Sequence, residues 1–165
     1  MNNLGWVVVP FRVLLVLVFL GLLMAELLSL PGQFSHVAGE HPELGAVPWM
    51  LLTLGILEAI AIQIVIVCTW RLLTLVRADR IFSAEAFAWV DVIVWTMLGG
   101  WLLFAGVAAY FIGVIYFTPE LRDPGTPVLL TGMALIGGVV VLTIVLMRAL
   151  LRQATVLRSD WEAVI

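Results

Sequence analysis

Lysine is absent from this 165-residue chain, and all eight of its basic residues are arginine. Charged residues make up only 12%, about half the share of a soluble domain. So thin a polar supply excludes an ordinary soluble fold, and a net charge of −3 gives no footing for direct nucleic-acid binding. The single Cys68 excludes an internal disulfide and a cysteine metal cluster, and reads as a small apolar side chain. The sequence contains no phosphate-binding loop, no nucleophile elbow and no paired-histidine helix motif. No nucleophile, base and metal set converges, so the chain reads as non-enzymatic and without a cofactor.

What is abundant is apolar sequence, 64% of the residues, with mean hydropathy +1.19. It falls in four runs, 11–30, 48–70, 89–117 and 128–147. A bilayer core about 30 Å thick needs about 20 apolar residues of helix, and each run meets that length. Backbone groups in lipid must bond to one another, so such runs become helices. The expected fold is an all-α antiparallel bundle of four transmembrane helices, a single domain over residues 1–165 with an amphipathic tail at 148–165. Arg12 at the head of the first run imitates a signal peptide, but the 18-residue stretch from Val13 to Leu30 exceeds a signal core, so a retained anchor is expected.

The arginines give the expected orientation. Arg12 stands at the head of the first run; Arg71, Arg77 and Arg80 follow the second; Arg148, Arg152 and Arg158 follow the fourth. The other side holds only Arg122, with Glu40, Glu43, Glu120 and Asp123. Arginine-rich connections stay in the cytoplasm, which places both termini and the middle connection there. Trp6, Trp49, Trp70 and Trp89 stand near span ends, where amphipathic rings favour the interface.

Helix signals continue past the inner boundary. Residues 71–79 contain no Gly or Pro and extend the second helix. Ser83 is placed to cap a third helix starting at Ala84, with Glu85 in its first turn and Phe82 and Phe87 at the staple positions. Leu150, Leu151, Ala154 and Leu157 share a side in the tail, with Arg148, Arg152 and Gln153 leaning away. The extensions suggest a docking face of Arg71, Arg77, Arg80, Phe82, Arg148, Arg152 and Arg158.

Three carboxylates fall within spans: Glu26, Glu58 and Asp91. Ionisable groups in a membrane are expensive and mark candidate sites. Glu58, near mid-membrane, is expected to be protonated and bonded to a carbonyl or threonine, or to share a proton or cation site with Glu26. Asp91 is placed to pair with Arg12. Gly99, Gly106 and Gly113 repeat every seven residues and, with Gly132, Gly137 and Gly138, are expected to let helices approach closely inside one bundle or in a homo-oligomer. His36 and His41 flank Glu40 in the outer loop in a spacing that matches no established metal motif.

At Arg80-Ile-Phe-Ser-Ala-Glu85 the chain resembles a bacterial family of four-span membrane proteins known as domain of unknown function 2975. Ile81-Phe82-Ser83 matches that family's short motif between its second and third helices; Asp79-Arg80 stands where a glycine is usual. The tail 151–165 also resembles the ends of actinobacterial members. The resemblance implies no established activity. It does imply a neighbourhood, because the family's genes often adjoin one for a small helix-turn-helix regulator. The expectation is therefore a protein of the bacterial inner membrane that docks or restrains a cytoplasmic regulator. A proton- or cation-coupled transporter or channel and an accessory subunit of a larger membrane complex are the alternatives.

Overall fold

In the computed structural model the residues described, which are 4–40, 42, 45–78, 83–117 and 124–162, with side chains from 8 to 153, are almost all helical. Helix α1 (Leu4–Met24) runs through a π-helical turn (Ala25–Ser29) into α2 (Leu30–Glu40). Then come α3 (Val47–Arg77), α4 (Ala84–Phe117) and α5 (Gly125–Glu162). Four stretches are long and apolar enough to cross a membrane: Val8–Glu40, Val47–Arg77, Ala84–Phe117 and Gly125–Gln153. Their large apolar side chains mostly point outward, as at Leu27, Leu135, Ile136 and Leu142. In water such surfaces would far exceed the apolar patches of a soluble monomer; lipid is their natural surrounding.

The chain divides into two compact units, residues 1–81 and 82–165. In the first, α1 and α2 both pack on α3. In the second, α4 packs on α5.

Where the sequence predicts an outer loop at 31–47, most of the segment is helix. The first apolar helix does not end at Leu30 but continues to Glu40. Pro31 would ordinarily break it, because proline lacks an N–H and its ring collides with the carbonyl four residues back. Here the turn before it has widened: the Leu30 N–H bonds the Ala25 carbonyl, five residues back. A π turn is one extra residue absorbed by a helix, and it loosens the carbonyl ladder just where the proline follows. Gly45 closes the turn into α3 at φ +55°, a conformation that glycine adopts without strain.

The other predicted boundaries fare better. Helix α3 does continue past Trp70, to Arg77, and α4 does begin at Ala84. The Ser83 hydroxyl accepts the Ala86 N–H at 3.2 Å, the expected cap. Phe82 of the expected staple lies outside the described residues. The tail is helical to Glu162, its side chains beyond Gln153 outside the described set.

Candidate functional site

The polar groups of the first unit lie at separate levels along its helices. At one end, the Arg12 guanidinium donates to Thr74 Oγ1 at 3.0 Å and lies 4.9 Å from the centroid of the Trp70 ring. An Arg over an indole face is an attractive pairing, strengthened where water is scarce. Arg12 Nε is nonetheless buried without a hydrogen-bond partner. At a deeper level, Gln63 Nε2 donates to Glu26 Oε1 at 3.0 Å. Glu26 belongs to the π turn, so the widened segment also carries one of the carboxylates of the apolar spans. Leu30, four residues on, packs over Gly55, where an added Cβ would stand 3.6 Å from Leu30 Cδ1.

Glu58 occupies α3 between those last two contacts. Its Oε1 is buried and has no hydrogen-bond partner. The sequence anticipates a threonine or carbonyl for Glu58, or a site shared with Glu26. Instead Glu26 is engaged by Gln63, and the span threonines turn to their own helices: Thr53, Thr69, Thr131 and Thr143 each donate to the carbonyl four residues back.

In the second unit, Asp91 binds two arginines one turn apart on α5. Arg148 Nε reaches Oδ1 at 2.5 Å and Arg152 reaches Oδ2 at 3.3 Å. The sequence suggests Arg12 as the partner of Asp91; the partners the structure gives are Arg148 and Arg152 for Asp91, and Thr74 and Trp70 for Arg12. Nearly three turns deeper along α4, the Trp101 indole N–H donates to the Ala134 carbonyl at 2.8 Å. Its ring lies on Gly137 and Gly138, where an added Cβ would come within 3.0 and 3.1 Å of ring carbons. These two glycines form the expected close approach, met by an indole. Gly99, Gly106, Gly113 and Gly132 do not: an added Cβ at each meets nothing within 4 Å. The seven-residue spacing of Gly99, Gly106 and Gly113 aligns those three on one face of α4, but no described neighbour fills that face.

Of the candidate docking arginines, Arg71, Arg77 and Arg152 are exposed and Arg148 is half-buried against Asp91. Arg80, Phe82 and the Arg158 side chain lie outside the described residues. His36 Nδ1 lies 3.2 Å from Glu40 on the same exposed helical face. His41 and Glu43 lie outside the described residues, among which no three metal-binding side chains cluster. Sequence reasoning undervalued Gln63 and overlooked Thr74 and Trp101 as partners. The signal for the first was its depth opposite Glu26.

Residues 32–165 match the family model "Protein of unknown function (DUF2975)". The chain belongs to this family. The match takes in most of α2 and all of α3 to α5, and so contains Gln63, Glu58, Asp91 and both arginines that hold it. No curated protein and no solved structure matches this DUF2975 member.

Proposed function

We propose that this DUF2975 protein is a non-enzymatic, four-span protein of the bacterial inner membrane that acts by docking a cytoplasmic protein, a small helix-turn-helix regulator being the favoured partner. The observation that carries this reading is helix length. Helices α3, α4 and α5 contain 31, 34 and 38 residues, whereas about 20 cross the bilayer core. On the positive-inside reading, the surplus at Arg71 and Arg77, at Ser83 and at Arg148 and Arg152 stands in the cytoplasm. Rising residue numbers in α4 meet falling ones in α5, from Asp91 with Arg148 to Trp101 with Ala134. That order supports an antiparallel pair, and an antiparallel bundle returns both termini to the same side. Asp91 pins Arg148 and Arg152 to one position on the inner end, which suits a surface that must present charge in a fixed pattern.

In-cell photocrosslinking tests the proposal. A crosslinking residue at Ser83, in the inner connection, is expected to capture a soluble partner, and one at Thr126, at the outer end of α5, is not. Equal capture from both positions, or none at Ser83, would count against docking at this face.

One observation favours a second reading, proton- or cation-coupled transport: the buried Glu58 oxygen without a partner. It predicts pH-dependent flux in proteoliposomes that Glu58→Gln removes. Unchanged flux in that variant would sink the assignment.

A further inference from the structure

Between α1 and α3 lies an open groove of about 250 Å³, almost entirely apolar. Leu15, Val16, Phe19 and Leu20 form one wall, and Ile66 lies in the other. Its upper end is framed by Trp70 and the exposed Arg71. Trp70 also carries the Arg12 guanidinium over its ring, so two cations stand at this one end.

We propose that this groove holds one acyl chain of an anionic phospholipid, its phosphate drawn to Arg71 and Arg12. Three features fit that occupant and argue against a peptide. The groove is open and apolar along its length, so it offers methylene groups a packed wall but gives a peptide backbone nothing to bond with. It runs from the level of Arg71 to that of Ile66, five residues of helix, or about 7 Å. That is about half of one leaflet's hydrocarbon depth, where an acyl chain descends from its headgroup. Trp and Arg at its mouth are the side chains that settle at headgroup level. Anionic lipid is abundant at a cytoplasmic surface, and each arginine close to it is worth about a fivefold change in affinity. The inference does not depend on docking of a cytoplasmic partner.

Native mass spectrometry of the full chain tests it, after detergent exchange with phosphatidylglycerol or with phosphatidylcholine of the same acyl chains. One retained phosphatidylglycerol is expected, favoured about tenfold over phosphatidylcholine. Arg71→Gln should lower that preference about fivefold. Leu20→Trp and, separately, Val16→Trp should abolish retention by filling the groove; both side chains are exposed on its open wall, and a monodisperse elution profile checks folding. Equal retention of the two lipids would overturn the proposal as an unselective annulus. Retention indifferent to both groove-filling variants, or matched by glycerol phosphate without chains, would overturn it as headgroup attraction alone.

Discussion

At the residue scale, the close contacts of the second unit assign different costs to glycines that look alike in the sequence. Gly138 accommodates Trp101, and a side chain there would push the indole off the Ala134 carbonyl. Gly138→Leu should destabilise the protein by about 1–3 kcal/mol, the usual cost of overpacking. Gly106→Ala meets open space and should change stability little. Thermal unfolding in a mild detergent compares the two, and an equal loss in both would refute the assignment. Asp91 makes a second distinction. Asp91→Asn and Arg148→Gln should each lower the midpoint, and the double variant should lose less than their sum, because either change breaks the same pair. Strict additivity would show that the contact carries no coupling. The sequence marks Asp91 as costly but not its partner, because depth alone does not distinguish Arg12 from Arg148. Only the pairing of α4 with α5 does.

At the element scale, the π turn is the main departure from what the sequence suggests. Pro31 and Gly32 look like the start of a loop, and local rules favour that reading. The structure keeps the helix by taking one extra residue into the turn before the proline. Sequence rules miss this because an i→i−5 bond has no composition signature. A testable asymmetry follows. Deleting Leu28, exposed within the π turn, should convert it to ordinary α-helix while preserving the Arg12–Thr74 contact on one side and Leu30–Gly55 on the other. Deleting Leu17, within regular α1, should rotate every residue on one side of it by about 100° and break one of those contacts. Size-exclusion profiles of the two deletions are expected to differ, with the Leu28 deletion folded and the Leu17 deletion aggregated. Two equally folded profiles would argue against the turn as a spare residue. The remaining boundaries were legible because their signals are local. A serine cap at Ser83 and an uninterrupted run through Arg77 need no knowledge of neighbours.

At the scale of the whole molecule, composition alone was enough for an all-helical chain with four membrane-length helices, because lipid permits few alternatives to a long apolar run. The candidate site was legible only in part. Glu26, Glu58 and Asp91 announce themselves by cost, but Gln63, Thr74 and Trp101 acquire their roles from helices distant in sequence. Family membership adds no activity, so the proposed function rests on the arginine-bearing helical ends as a docking face. The most direct measurement is paired affinity purification of the full chain in gentle detergent, from cells expressing either the native protein or Arg71→Glu/Arg77→Glu. Molar mass and mass spectrometry are then read on each eluate. Docking at this face should bring down a soluble protein at fixed stoichiometry with the native chain and lose it from the variant, with both forms equally folded. The native chain eluting alone, or the same partner at the same stoichiometry in both eluates, would contradict it.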